Sequence, residues 1–272
     1  MGGLFTPCCT SKENNKTIKP NFMEQHRPHT TVVLAMSADG KIADFRRSPA
    51  RFGSGADKAH LEKQIAASDA VLFGAGTLRG YGTTITVSQP TLLQQRTQEG
   101  KPNQPVHIVI SHSGNLNPEI NFFRQPVRRW LLTTTAGAIF WQKRLRSIPN
   151  LREGVPPTTG TTSAQEYPPE FEQILVFETP TGKIDLVAAL QHLASLQITR
   201  LAVLGGGQLV ASMVESDLID EFWLTICPLI LGGAAAPTPV EGQGFLSHLA
   251  PKLQLLEVQT VEEEVFLHYR RQ

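Results

Sequence analysis

Three consecutive glycines, Gly205, Gly206 and Gly207, stand between an apolar stretch (Leu201, Val203, Leu204) and a run in which Leu209, Val210, Met213 and Val214 recur at helical spacing. A strand that ends in bare backbone and opens a helix leaves unpaired N–H groups at the positive end of the helix dipole. That arrangement attracts a phosphate. A tight packing turn has the same sequence signature. A second junction of this kind, Val71-Leu72-Phe73 running into Gly74-Ala75-Gly76-Thr77, makes packing alone a harder explanation. Neither junction fits the spaced G-x-G-x-x-G fingerprint, of which residues 74–77 hold only the first half, and no nucleophile elbow, Walker lysine, HExxH or paired-cysteine motif is present. The chemistry left open is that of a bound nucleotide cofactor positioned by the protein, with a small-ligand binding module as the alternative. Arg46, Arg47 and Arg51 share a loop with Pro49, Gly53 and Gly55. A phosphate clamp and a solvated basic loop both account for them.

The elements that must carry these loops follow from periodicity. Residues 31–36 form a β-branched run with the length of a buried strand, stopped by the Asp39-Gly40 turn signal. Ser54 followed by Asp57 resembles a capping box that opens a helix from about 56 to 67. Strands are expected at 71–73, 106–110, 130–132, 174–177 and 201–204, alternating with helices at about 136–146 and after the cap Asp185. Beyond residue 215 the pattern changes to strands alone, at 220–227, 252–258 and 264–271, the last two pairing antiparallel. This predicts a single α/β domain over residues 29–272, with a mixed, mostly parallel central sheet flanked by helices and an antiparallel C-terminal edge. Ligands then bind at the carboxyl ends of the strands, where the glycine loops lie.

Composition bounds the partners. Lysine plus arginine is 25 and aspartate plus glutamate 24, so no global charge argues for nucleic acid or membrane. Cys8, Cys9 and Cys227 make neither a disulfide framework nor a zinc spacing, which points to a reducing, cytoplasmic setting and to no metal. No apolar run approaches the ~20 residues needed to span a bilayer. Residues 1–28 read as a flexible polar tail, formally matching an N-myristoylation pattern with Cys8 and Cys9 beside it. The proline- and threonine-rich residues 147–172 read as a surface excursion.

Three stretches carry a resemblance. Residues 35–43 (Ala-Met-Ser-Ala-Asp-Gly-Lys-Ile-Ala) resemble the opening motif of the riboflavin-pathway reductase domain, the carboxyl-terminal part of a bifunctional deaminase–reductase. Residues 68–77 resemble that family's second motif, and residues 203–209, 218–221 and 228–233 its third. The resemblance runs in order from about Thr31 to Arg271. It implies a dihydrofolate-reductase-like fold, a homodimer, NADPH as cofactor, and reduction of the ribosylamino group of a phosphorylated pyrimidine, 5-amino-6-(5-phosphoribosylamino)uracil. It further implies cofactor contacts at Gly74, Gly76 and Thr77, phosphate contacts at Gly205, Gly206 and Gly207, and Ala35 near the nicotinamide. Ser37 and Asp39 would face the shared pocket, where either could hold a proton-donating water. Ser111 and Ser113 are placed by position near the adenosine 2′-phosphate. Candidate dimer surfaces are residues 220–233 and the terminal strands.

The sequence departs from the family pattern on the substrate side. Gly80-Tyr81-Gly82-Thr83 stands where an Asp-Asp-Pro segment is usual, Leu204 where a glutamate precedes the glycines, and Ile65 where a helix carries an arginine. Losing carboxylates that bond sugar hydroxyls weakens the hold on that sugar. Tyr81, Leu204 and Arg51 become the candidate substrate contacts. The pathway reductase acting without an attached deaminase is the reading adopted. A reductase of another small carbonyl, imine or pterin, and a non-catalytic nucleotide-binding relative, are its rivals. His60, His107, His112, His192 and His268 are scattered and read as surface or strand residues.

Overall fold

In a strand buried on both faces, successive side chains must be apolar regardless of which way they point. Val71, Leu72 and Phe73 are all buried, and so are Ile108 and Val109, Leu131 and Leu132, and Ala202 and Val203. The computed structural model, which describes residues 27–146 and 170–272, shows what they build. The strands are β1 (His29–Ser37), β2 (Ala70–Gly74), β3 (Val106–Ser111), β4 (Arg129–Thr133), β5 (Gln173–Val176), β6 (Arg200–Val203), β7 (Glu221–Cys227), β8 (Leu253–Val261) and β9 (Glu264–Arg271). The helices are α1 (Gly55–Ala67), α2 (Ala75–Tyr81), α3 (Pro90–Gln98), α4 (Thr135–Arg146), α5 (Leu186–Ser195) and α6 (Gly207–Glu215).

Among the described residues, all nine strands join one sheet in the order β5-β4-β3-β2-β6-β1-β7-β9-β8. Pairing is parallel from β5 through β7 and antiparallel at β7–β9 and β9–β8. The expected mixed sheet with an antiparallel C-terminal edge is therefore what forms. One face packs Leu72, Ile108, Leu132 and Val203 against Leu190 and Leu193 of α5 and Val210 and Met213 of α6. The other packs Val71, Phe73, Val109 and Leu131 against Ile65 of α1, Leu78 of α2 and Trp141 of α4. Trp141 stacks on Phe123 with ring centroids 5.3 Å apart. Ile65 is fully buried here, so the residue that replaces the family's arginine is a core residue.

Helix α3 has no counterpart in the periodicity reading. Its one buried residue is Arg96, so it shows no apolar stripe, although Pro90 near its start is a recognised opening residue. Arg96 is 1% exposed and donates to the carbonyls of Ala66, Ser68 and Pro102 at 2.7–2.8 Å. A cation there satisfies carbonyls at the C-terminal end of α1. Glu62 of α1 returns the favour, accepting from the amides of Ser88 (2.5 Å) and Gln89 (2.7 Å) just before α3. The two helices are thus joined by buried charged groups in addition to the partly buried Leu92 and Leu93, which pack against the same core as α1.

The capping box is half formed. Ser54 Oγ accepts from the amides of Ala56 (3.0 Å) and Asp57 (3.2 Å), as a helix-start serine does. The return bond to the Ser54 amide comes from Glu264 of β9 at 2.8 Å, not from Asp57. A residue distant in sequence takes the role that spacing assigned to a near neighbour. Of the expected tail and surface excursion, residues 1–26 and 147–169 lie outside the described residues, and with them the myristoylation pattern and Cys8 and Cys9.

Candidate active site

A cavity of about 380 Å³ opens at the carboxyl ends of β1, β2 and β6. Its floor is Val33, Leu34 and Ala35 of β1, Phe73 of β2, and Leu204, Gly205 and Gly206 after β6. Its sides are residues 50–53, the first two turns of α1 (Asp57, Lys58, Leu61), Thr77 and Tyr81 of α2, and residues 83–85. Because β2 and β6 are neighbours, both glycine junctions arrive at one edge of this cavity. The Gly74 amide donates to the Gly205 carbonyl at 3.3 Å.

Gly205 (φ 114°) and Gly206 (φ 91°) hold backbone angles that side-chain-bearing residues rarely adopt. Gly206 is the cap of α6, and no side chain fills that capping role. Its backbone therefore faces outward with the first N–H groups of α6 behind it, a form suited to an anionic group. A Cβ on Gly76 would meet nothing within 4 Å, and one on Gly206 would meet Thr77 Oγ1 only at 3.8 Å. The surface between the junctions is thus shallow and open, and the residues fit the diphosphate and flat ring of a dinucleotide. Gly207 differs. It is buried, a Cβ there would overlap the Thr238 carbonyl, and its own carbonyl accepts from the Glu241 amide at 3.1 Å. Its smallness admits the 238–241 segment across the start of α6.

Seven of the residues singled out by sequence meet around the cavity: Ala35, Arg51, Thr77, Tyr81, Leu204, Gly205 and Gly206. Gly74 and Gly76 flank Thr77 at its rim. Of the three loop arginines, Arg51 alone lines it. Arg47 is paired with Glu241 at 2.8 Å, and Arg46 lies over the Phe45 ring. Tyr81 donates its hydroxyl to the Ala50 carbonyl at 2.6 Å, fixing the 50–53 wall.

Ser37 and Asp39 lie away from the cavity lining. The buried Ser37 hydroxyl donates to Asp39 Oδ1 at 2.6 Å and accepts from the Lys41 amide at 2.9 Å. Asp39 also accepts from the amides of Leu231 (3.1 Å) and Gly232 (2.7 Å). The Ser37 hydroxyl, then the Leu231 amide, hold the Asp39 carboxyl down at about 2. The pair ties the turn after β1 to the loop after β7. Ser111 is buried and accepts from the Gly114 amide at 3.1 Å, whereas Ser113 is exposed beside Asn115, whose carbonyl the Arg79 guanidinium of α2 approaches at 3.5 Å.

The residues that sequence reasoning missed are the α1 and loop walls: Phe52, Gly53, Asp57, Lys58, Leu61 and Ile85. Asp57 had a signal, a carboxylate three residues after Ser54, but helix capping already explained it. His107 and His60 offer no proton at neutral pH, since burial above all pulls the first to about 3 and the second to about 4. Among the described residues no cluster of histidine, cysteine and carboxylate residues has metal-binding form, and no helix is long and apolar enough to cross a membrane.

Comparison with known proteins gives the same frame. The chain is 27% identical over 220 residues to the 2,5-diamino-6-ribosylamino-4(3H)-pyrimidinone 5′-phosphate reductase of Archaeoglobus fulgidus, covering 81% of this chain and 89% of that one. It is 24% identical to the riboflavin biosynthesis protein RibD of Actinobacillus pleuropneumoniae over 95% of its own length, but spans only 61% of that longer protein. Among solved structures, a pyrimidine reductase-like protein from Corynebacterium diphtheriae shares the fold, with a TM-score of 0.68 at 18% identity over 90% of this chain and 92% of that one. The profile of the RibD C-terminal domain matches residues 28–267, and the chain belongs to that family.

Proposed function

We propose that this chain is an NADPH-dependent reductase of riboflavin biosynthesis, reducing the ribosylamino group of a phosphorylated pyrimidine. The observation that carries this reading is the convergence of two bare-backbone glycine junctions on one cavity whose far wall bears two cations, Arg51 and Lys58. The junctions suit a dinucleotide's phosphates. The cations suit the sugar phosphate of a substrate, with the guanidinium able to bond two oxygens at once. Relatives named as reductases of such a pyrimidine support it.

NADPH would be held by Gly74, Gly76 and Thr77 on one side and Gly205 and Gly206 on the other, with Ala35 at the nicotinamide end. Ser113 and Arg79 are the groups proposed for the adenosine 2′-phosphate, with Ser111 shaping their loop. The cofactor supplies a hydride; the chain supplies orientation and a largely apolar enclosure that excludes water. Ser37 and Asp39 act by fixing the turn that follows β1. Homodimerisation is part of the proposal. Strand β7 lies inside the sheet between β1 and β9, so residues 220–233 offer little free edge. Strand β8 is the outermost strand, and Leu253, Leu255, Leu256, Val258 and Val261 on it are exposed. An unpaired apolar edge is a template for a second copy.

The lining also favours a second reading. Leu34, Ile42, Leu61, Phe73, Ile85 and Leu204 suit a flat, uncharged substrate such as a pterin. Fluorescence titration with NADPH and NADH, followed by cofactor oxidation with the diaminopyrimidinone phosphate, its deaminated uracil counterpart and a dihydropterin, separates the readings. Tighter binding of NADPH and oxidation with a pyrimidine phosphate are expected. Oxidation with the pterin alone would select the second reading, and binding of neither nucleotide would sink both.

A further inference from the structure

Hydride transfer to a carbon–nitrogen double bond needs a proton for the nitrogen, and the residues assigned above do not provide one. Asp39 is held ionised by its hydrogen bonds, and the Tyr81 hydroxyl is committed to Ala50. Arg51 and Lys58 are assigned to the substrate phosphate. Among the described residues that line the cavity, Asp57 is the one carboxyl. It stands in the first turn of α1 with Oδ2 folded back against Gly53, where any Cβ would overlap it. The loop glycine is what lets that carboxyl occupy the cavity wall.

Behind Asp57 sits a second carboxylate. Glu264 of β9 is 3% exposed and accepts from the Ser54 amide at 2.8 Å and the Ser54 hydroxyl at 2.5 Å. Ser54 thus occupies both oxygens of Glu264. The Cys227 thiol of β7 neighbours it, and after burial Glu264 helps push that thiol up to about 12. Two neighbouring carboxyls do not both ionise easily, and the partner with fewer donors keeps its proton. For Asp57 the side chain of Thr225 is the neighbour that favours the charged form. The charged and titratable groups facing it are Lys58 on its own helix, Arg51 on the adjoining loop, Tyr81 on α2, Cys227 on β7 and Glu264 on β9.

We propose that Asp57 is the proton donor of the reduction and that Glu264, behind it, is a positioning residue. This rests on the reductase reading above. As the hydride reaches the imine carbon of the ring-opened ribosylamine, a C–H bond forms and the C=N π pair passes to nitrogen. The nitrogen takes the Asp57 proton, forming N–H. Asp57 is left as a carboxylate and regains a proton from water, so each turnover consumes one hydride and one proton and oxidises one dihydronicotinamide. Burial above all pushes the Asp57 carboxyl above its ordinary value, with the Thr225 side chain opposing and the charge of Glu264 adding a smaller push, so an acid is available closer to neutrality than an ordinary aspartate.

Two measurements test it. In the protein without cofactor, infrared difference spectra between Asp57→Asn and wild type should show a protonated-carboxyl band that persists above the ordinary aspartate range and that the variant lacks. In turnover, Asp57→Asn should bind NADPH like wild type yet reduce substrate roughly a hundredfold more slowly or worse. It should also lose the alkaline fall in rate that wild type shows as Asp57 ionises. Glu264→Gln keeps an acceptor for Ser54 but removes the charge, so the alkaline limb should move to lower pH. Turnover by Asp57→Asn within twofold of wild type, an unmoved limb in Glu264→Gln, or no carboxyl band would overturn the assignment. If wild type binds NADPH but reduces no pyrimidine phosphate, the reductase reading has failed, and the role of Asp57 falls with it.

Discussion

At the scale of single residues, Gly206 and Asp39 show how differently a small group can serve a site. Gly206 holds φ at 91°, a region that costs an L-residue about 1–2 kcal/mol. Gly206→Ala should therefore lower the melting temperature. It should also weaken NADPH binding by about tenfold or more, since about 1.4 kcal/mol is a factor of ten. Calorimetry and fluorescence titration check both effects, and unchanged affinity would remove Gly206 from the cofactor site. Asp39 works through its charge. Its carboxyl sits at about 2 in the folded protein against an ordinary 3.8. A depressed folded value means the bonds to Leu231 and Gly232 contribute stability above the ordinary value and lose it as pH falls through the folded one. The Gly232 amide shift should titrate with a midpoint near 2, and in Asp39→Asn that titration should vanish. A midpoint near 4 would show that the Ser37–Asp39 pair does not hold the loop.

At the scale of elements, the legible parts were those with local causes. Asp185 caps α5 through the Ala188 amide at 3.0 Å, and the buried strands end where their apolar runs end. Helix α3 was not legible because its apolar contact is confined to the adjacent Leu92 and Leu93, while Glu62 holds its start and Arg96 its underside through long-range polar bonds. The same cause hid Asp57 in the site. Ser54-x-x-Asp57 reads as a closed local motif, and only Glu264, 210 positions from Ser54, shows that the aspartate is free to face the cavity. Glu62→Ala should cost about 2 kcal/mol by leaving the amides of Ser88 and Gln89 without their acceptor. Burial opposes the ionised form of Glu62, but the Ser88 and Gln89 donors together outweigh it and lower its pKa. Its contribution is then present above the ordinary glutamate value and fades as pH falls below it. Denaturant midpoints of wild type and Glu62→Ala should therefore converge toward acid pH. A constant gap would contradict the assignment.

At the scale of the molecule, the sheet has two edges of different character. The β5 edge carries Val176 as its exposed large apolar residue, whereas β8 carries Leu253, Leu255, Leu256, Val258 and Val261. Sequence left two dimer surfaces open because strand order does not follow chain order; β7 is paired on both sides, which leaves within residues 220–233 the loop that carries the exposed Ile230. Leu255→Lys with Val258→Lys should convert a dimer to monomer in light scattering while leaving NADPH binding intact; a variant that stays dimeric would move the interface elsewhere. The central claim joins the sheet's carboxyl-end cavity to one reaction, and the most direct measurement is single-turnover oxidation of bound NADPH. The account predicts loss of the reduced-nicotinamide absorbance in proportion to added diaminopyrimidinone ribosylamino phosphate or its uracil counterpart, with a ribitylamino product. A stable absorbance with both pyrimidines, in protein shown to bind NADPH, would contradict it.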